Sequence, residues 1–141
     1  VNSSGNIGAS GKTYFIRLNN IYSETGAKIV EGSGSMFSLS FVKEDLSGIA
    51  VYPNPFSKSK ATKQAVTFAN LTKTAKIYVY SLTGAMIIEL TENDGNGGVE
   101  WGLRDSKGNE VPSGIYIYKV EGKNSNGADV ESSMSKFAVI K

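Results

Sequence analysis

Residues 52–56 read Tyr52-Pro53-Asn54-Pro55-Phe56 and hold two of the three prolines in the chain. Each proline fixes its own φ, removes a backbone donor and favours extended geometry in the residue before it. A segment with these properties suits an edge or entry strand of a sheet, and it does not suit a central strand. The sequence therefore predicts that a β domain begins here and covers residues 49–141, with a separate part in residues 1–48.

Short apolar runs with period-two alternation follow this boundary, and turn residues separate them. No stretch among them has the 3.6-residue period of an amphipathic helix. The pattern is typical of an all-β protein, and it predicts an immunoglobulin-like antiparallel β-sandwich of about seven strands. The predicted strands cover residues 49–52, 65–71, 75–82, 85–90, 98–103, 115–121 and 136–140.

Residues 1–48 carry the same alternation in two places, from Thr13 and from Met36, with turn residues between them. Two or three strands with one apolar face are too few for an independent core. We therefore expect a partial immunoglobulin-like or fibronectin-like β module that packs on the following domain, with a linker at residues 43–48. The unpaired strand edges of such a part predict a homodimer. Because the sequence starts without Met or a signal peptide, we also expect it to belong to a longer polypeptide.

Composition narrows the classes of function. The 15 basic and 13 acidic side chains give a formal charge of +2 without long runs of one sign, so nucleic acid is not an expected partner. Cysteine and histidine are absent, which removes disulfides, thiolate nucleophiles, imidazole bases and the usual zinc ligands. No apolar run approaches the roughly 20 residues of a membrane span. We expect a protein that is not an enzyme and that has no catalytic residue, metal or cofactor.

Paired carboxylates would offer an alternative, enzymatic function, because glycoside hydrolysis uses two of them. Apart from Glu100, in the strand predicted at 98–103, the candidates lie in the predicted linker or in turns. Solvated surface charge is the favoured interpretation for all of them. The segment 94–97, Asp-Gly-Asn-Gly, has part of a calcium-loop pattern but lacks the alternating acids and the bidentate Glu, so a hairpin turn is favoured. The carboxylate candidates are Glu44 with Asp45, Glu100 with Asp105, and Glu110.

Aromatic side chains offer a second alternative. Trp101 is the only tryptophan and is predicted to fill the core, with its indole N–H in need of one partner. Tyrosines alternate with β-branched residues in two strands, and four of them on one exposed face would form a platform for sugar rings. Core packing or an interface with a neighbouring domain is the favoured interpretation. The four tyrosines are Tyr78, Tyr80, Tyr116 and Tyr118.

A series of short motifs in fixed order carries a resemblance to a known family. The series runs from 52–56 through 68–71, 77–84, 101–105 and 111–118 to the terminal Lys-Phe-Ala-Val-Ile-Lys at 136–141. Over residues 49–141 the chain resembles the type A C-terminal sorting domain of type IX secretion substrates, itself similar to the immunoglobulin-like domain of flagellar hook-capping proteins. The family-motif residues are Tyr52, Pro53, Asn54, Pro55, Phe56, Gly84, Trp101, Gly108, Gly114 and Tyr116.

The resemblance implies a non-catalytic C-terminal module that serves as the sorting and surface-attachment signal of a larger secreted bacterial protein. Its implied partners are the outer-membrane translocon, the attachment machinery and the N-terminal cargo domains of the same polypeptide. Its implied location is secreted or at the cell surface, with a transient periplasmic stage. A surface adhesion or carbohydrate-binding module and a structural spacer are the alternatives. The residues implied in translocon recognition are Lys136, Phe137, Ala138, Val139, Ile140 and Lys141.

The last predicted strand also suits recognition on physical grounds. It is expected to be the final strand of one sheet, so that a receptor could pair with its backbone. Such pairing gives affinity with little sequence specificity, and the flanking Lys136 and Lys141 could orient the partner electrostatically.

Overall fold

The computed structural model describes residues 10–28, 35–132 and 134–141, and these contain eleven β-strands and no α-helix. The all-β prediction is confirmed, while most of the predicted turn at 31–35 lies outside the described residues. No helix in the described part of the chain is long and apolar enough to cross a membrane. The strands are β1 Thr13–Arg17, β2 Met36–Ser40, β3 Ala50–Tyr52, β4 Phe56–Ser57, β5 Val66–Ala69, β6 Thr74–Ser81, β7 Met86–Glu92, β8 Gly98–Trp101, β9 Gly114–Lys123, β10 Asp129–Glu131 and β11 Ser135–Ile140.

Two sheets form the sandwich that follows residue 49. The larger sheet has the strand order β4-β11-β9-β6-β7, and β10 pairs with the C-terminal end of β9. The smaller sheet has the order β3-β5-β8. All pairs are antiparallel except β4 with β11, which is parallel. Each of the seven predicted strands is present. The two additional strands, β4 and β10, are two and three residues long, too short for alternation to reveal them.

The proline segment carries the chain from one sheet to the other. β3 pairs only with β5 in the small sheet, and β4 pairs only with β11 in the large sheet. Both X-Pro bonds of the segment, Tyr52-Pro53 and Asn54-Pro55, are cis. Since proline lacks a backbone donor, the interruption of pairing falls where the prolines stand. The prediction of edge or entry strands at this position is confirmed.

The core is an aromatic cluster to which both sheets contribute. Phe137 of β11 packs edge-on against Phe68 of β5 and Trp101 of β8, with ring centroids 5.8 and 6.0 Å apart. On its own sheet it stacks on Tyr116 of β9 at 5.7 Å. All four side chains are buried. One side chain of the last strand therefore joins the two sheets.

The N-terminal part forms a separate two-stranded sheet, β1 with β2. Its register places Tyr14 opposite Leu39 and Ile16 opposite Phe37, so one face is apolar as predicted. Phe37 remains 51% exposed. The expected homodimer stays a prediction, which sedimentation of the protein at micromolar concentration would check.

Short contacts connect this part to the sandwich. The Ser10 hydroxyl donates to the Gly97 carbonyl at 2.5 Å and accepts from the Asn70 backbone N–H at 2.9 Å. A Cβ on Gly98 would lie 2.4 Å from the Gly11 Cα, so this approach of two backbones requires glycine. Leu46, in the predicted linker, is buried in the core cluster. The segment before residue 49 thus contributes side chains and hydrogen bonds to the sandwich.

Candidate functional site

The C-terminal strand β11 places its side chains alternately on two faces. Phe137 and Val139 are buried in the core, whereas Lys136 and Ile140 are exposed and Ala138 is half-buried. The alternation follows from the period of two in a β-strand. The predicted recognition residues therefore divide into a structural set and an outward set, and only the outward set can contact a partner of the folded domain.

The backbone of β11 is less accessible than predicted. β9 pairs with one edge of the strand, and β4 pairs with the other at Val139 and Ile140. The Ala138 N–H donates to the Asn54 side-chain carbonyl at 3.1 Å, and the Ile140 carbonyl accepts from the Lys58 N–H at 2.9 Å. The prediction of an open final strand is wrong over these three residues. The reason is that the proline segment leads β4 onto this edge, a pairing too short to leave a sequence pattern.

The two flanking lysines have different surroundings. The Lys141 ammonium lies 3.1 Å from Glu110 Oε2, and the Lys58 ammonium lies 3.4 Å from the same oxygen. These hydrogen bonds, that of Lys141 first, lower the pKa of the Glu110 carboxyl. By contrast, Lys136 forms no ion pair with any described residue. Lys141 is therefore held by Glu110, whereas the exposed Lys136 ammonium has no ion-pair partner among the described residues.

Several family-motif residues maintain the sandwich. The indole N–H of Trp101 donates to the Arg104 carbonyl at 2.8 Å, which confirms the predicted core role with one partner. The Tyr116 hydroxyl donates to the Pro112 carbonyl at 2.7 Å and so closes the turn before β9. Gly84 and Gly108 occupy turns at φ values of 87° and 86°, which glycine adopts without strain.

The remaining motif residues also have structural positions. Phe56 is buried in the core, and Asn54 binds β11 through its side chain. Gly114 begins β9 opposite Val139. Five motif residues thus contact β11, whereas Gly84 and Gly108 lie in turns and the exposed Tyr52 lies in β3. The five are Asn54, Phe56, Trp101, Gly114 and Tyr116. Most motif residues therefore have contacts within the domain, and the outward residues of β11 remain as candidates for contact with a partner.

Removal of the Tyr116 hydroxyl tests this structural role. We expect Tyr116→Phe to lower the free energy of unfolding by about 1–2 kcal/mol, because the Pro112 carbonyl loses its partner. Urea unfolding followed by circular dichroism measures the change. Tyr80→Phe on the outer face is the matched control and should change stability by less than about 0.5 kcal/mol. Equal stability of the two variants would contradict the role.

The four tyrosines do not form one platform. Tyr116 and Tyr118 are buried, whereas Tyr78 and Tyr80 lie half-buried on the outer face of the large sheet. The register pairs Tyr118 with the inward Val79, so tyrosines of β9 and β6 point to opposite faces. The alternative of a four-ring platform is therefore excluded, and the favoured core packing holds for Tyr116 and Tyr118. Cross-strand register, which separates the two pairs, is not visible in either strand alone.

The carboxylate candidates lie at the surface and bond to their neighbours. Glu44 accepts from the Ser125 N–H and hydroxyl, and these hydrogen bonds lower its pKa. Glu100 pairs with Lys63 at 2.5 Å. No group of three acidic side chains that could hold a metal ion occurs among the described residues. Asp45 accepts from Ser47, Asp105 accepts from Asn109, and Glu110 binds the two lysines already described.

Residues 94–97 connect β7 in the large sheet to β8 in the small one. The expectation of a hairpin turn is wrong, since the flanking strands do not pair. Within the connection, Asp94 accepts from the Asn96 N–H at 3.0 Å. Glu92, just before it, is buried, and it also accepts from the Asn96 N–H at 3.0 Å. Burial and the neighbouring Asp94 raise the pKa of Glu92. Its sequence signal is an inward position in the alternation of β7, after Ile88 and Leu90.

The raised pKa of Glu92 predicts a pH dependence of stability. The folded protein holds this proton more tightly than the unfolded chain, so ionisation reduces stability as pH rises from the ordinary carboxyl value of 4.5. We expect Glu92→Gln to be more stable than the wild type at pH 8 and to lose this advantage at pH 4. Thermal unfolding at both pH values measures it, with the exposed Glu89→Gln on the same strand as control. A Glu92→Gln advantage that is the same at both pH values would contradict the assignment.

Comparison with solved structures places this fold among known proteins. PorZ, an essential bacterial surface component of the type IX secretion system of Porphyromonas gingivalis, is 29% identical over 67% of this chain, with a TM-score of 0.51. Two-thirds of the chain shares the fold of a segment of PorZ. Dimeric latent PorU from the same organism is 18% identical over 95% of the chain, with a TM-score of 0.49. CopC from Methylosinus trichosporium OB3b is 20% identical over 67% of the chain, with a TM-score of 0.46.

The extent of these likenesses differs among the three proteins. The chain spans 12% of PorZ and 12% of PorU, but 94% of CopC. No protein-family model matches the chain, and no curated protein matches it.

Proposed function

We propose that this chain is the sorting and surface-attachment module of a larger secreted bacterial protein handled by a type IX secretion system. The likeness to a segment of PorZ, at 29% identity over 67% of the chain, is the observation that carries the proposal. The ordered motifs between residues 52 and 141 support it. The module itself is not an enzyme, and the cargo domains supply the activity.

The structure supports a mechanism in which folding and recognition are coupled. Phe137 and Val139 fix β11 in the core, and this fixes the outward positions of Lys136, Ala138 and Ile140. A translocon that contacts these outward side chains therefore recognises the folded domain, and the recognition does not depend on which cargo precedes it. The attachment machinery and the N-terminal cargo domains are the further partners, and the destination is the cell surface after a periplasmic stage.

Export of a fluorescent protein tests the proposal. The fluorescent protein carries a signal peptide and is fused ahead of residues 1–141, and it is expressed in a type IX competent host and in an isogenic host without the translocon. We expect fluorescence outside the cells of the competent host only. Retention in the periplasm of both hosts would overturn the proposal.

A carbohydrate-binding or adhesion module is the second candidate, supported by the neighbouring Tyr78 and Tyr80 on the outer face. Two adjacent rings can stack on a sugar. Binding of the purified chain to a glycan array, lost in Tyr78→Ala with Tyr80→Ala, would favour this function. The single variant Tyr78→Ala, at the charged end of the sheet beside Lys119, should leave export unchanged if the module is a sorting signal only.

A further inference from the structure

The outer face of the large sheet divides into a charged end and an apolar end. At the charged end, Lys76 pairs with Glu89 at 2.8 Å. Beside it, Lys119 pairs with both Glu121 and Glu131 at 3.0 Å. Each of these cations has a carboxylate of this chain as partner. The charges of Lys76 and Lys119 are therefore compensated within the chain.

The apolar end is built from cross-strand rows. The register aligns Met86 of β7, Tyr80 of β6, Ile117 of β9 and Lys136 of β11 in one row. Directly paired residues share a face of a sheet, so these four side chains point outward together. Met86 is 60% exposed.

A second row continues the apolar surface toward the end of the chain. Ile115 pairs with Ala138, and Ile140 follows two residues along β11 on the same face. Ile115 is 45% exposed and Ile140 is 52% exposed. Large apolar side chains grouped in this way mark interaction surfaces more often than single exposed ones do. We call the outward residues Tyr80, Met86, Ile115, Ile117, Ala138 and Ile140 the β11 face.

The charge at the β11 face selects the chemistry of its partner. Lys136 stands in the first row and forms no ion pair with a described residue, while the outward carboxylates Glu89 and Glu121 lie at the charged end and are paired. An apolar surface with one uncompensated cation is complementary to an apolar surface bordered by carboxylates.

We infer that the β11 face is the docking surface for a protein of the secretion machinery that presents an apolar groove bordered by Asp or Glu. The inference rests on the proposed function and specifies its site. The partner contacts side chains of four strands, and it does not pair with the backbone edge of β11. The edge at Ala138 to Ile140 is occupied by Asn54 and β4, which leaves the face as the accessible feature.

Charge substitutions on the β11 face test the inference in the full-chain export fusion. We expect Ile115→Glu and Ile140→Glu to lower the exported fraction by about tenfold or more, because each places an unpaired carboxylate in an apolar contact. Leu82→Glu is the matched control, since Leu82 is 67% exposed but lies in the turn after β6. This variant should be exported like the wild type.

Folding is checked separately by thermal unfolding of each purified chain. Should an isoleucine variant unfold, Lys136→Glu provides the same test at a side chain outside the core, and it should also reduce export about tenfold. Folded Ile115→Glu and Ile140→Glu, or Lys136→Glu, exported like the wild type would overturn the inference and leave the proposed function intact. A wild-type fusion that is not exported would overturn both. Wild-type dimerisation abolished by Ile115→Glu would assign the face to a second copy and overturn the inference.

Discussion

Phe137→Ala is expected to lower the free energy of unfolding by about 3–5 kcal/mol. The side chain is buried and lies between rings of both sheets, with Phe68 at 5.8 Å and Trp101 at 6.0 Å. Alanine at this position lacks the ring that contacts both, so a cavity forms between the sheets. The loss approaches the whole stability of a typical small domain.

The measurement is urea unfolding of the full chain, followed by near-ultraviolet circular dichroism of the aromatic cluster. Lys136→Ala is the matched control, because it changes the adjacent, exposed residue of the same strand and should alter stability by less than about 0.5 kcal/mol. A loss below about 1 kcal/mol for Phe137→Ala would show that the cluster does not hold the sheets together.

Deletion of residues 136–141 is expected to abolish cooperative unfolding of the sandwich. The deletion removes Phe137 and Val139 from the core, exposes one edge of β9 and leaves β4 without its partner. The near-ultraviolet signal of the wild type should be absent, and urea should produce no sharp transition. A deleted chain that unfolds cooperatively at the wild-type urea concentration would contradict this expectation.

Truncation of the C-terminal strand changes both the fold and any contact that the strand makes with a partner. Loss of export after truncation would report unfolding and loss of signal together, since the six residues include both the core side chains Phe137 and Val139 and the outward side chains of β11. Substitutions at Lys136 and Ile140, which point away from the core, separate the two effects.

Much of the fold could be predicted from the sequence because the relevant signals are local. Period-two alternation marks the strands, and the prolines at 53 and 55 mark the edge where the chain changes sheets. Trp101 could be assigned to the core because its size and its single donor constrain where it can be placed.

The remaining features depend on contacts between distant segments. β4 and β11 pair although most of the sandwich sequence lies between them. β4 has only two residues, Phe56 and Ser57, which is too short to show a period-two alternation. The inward orientation of Tyr116 and Tyr118 is set by their register with β6 and β11. Likewise, the distinction between Lys136 and Lys141 depends on Glu110, which adjoins only Lys141 in the fold.

The central claim is that the signal is a surface of the folded sandwich and not a short C-terminal peptide. The most direct measurement compares export of two fluorescent fusions in one type IX competent host, one carrying residues 1–141 and one carrying only residues 134–141. We predict export of the first and periplasmic retention of the second, because eight residues cannot form rows across four strands. Equal export of the two fusions would contradict the account.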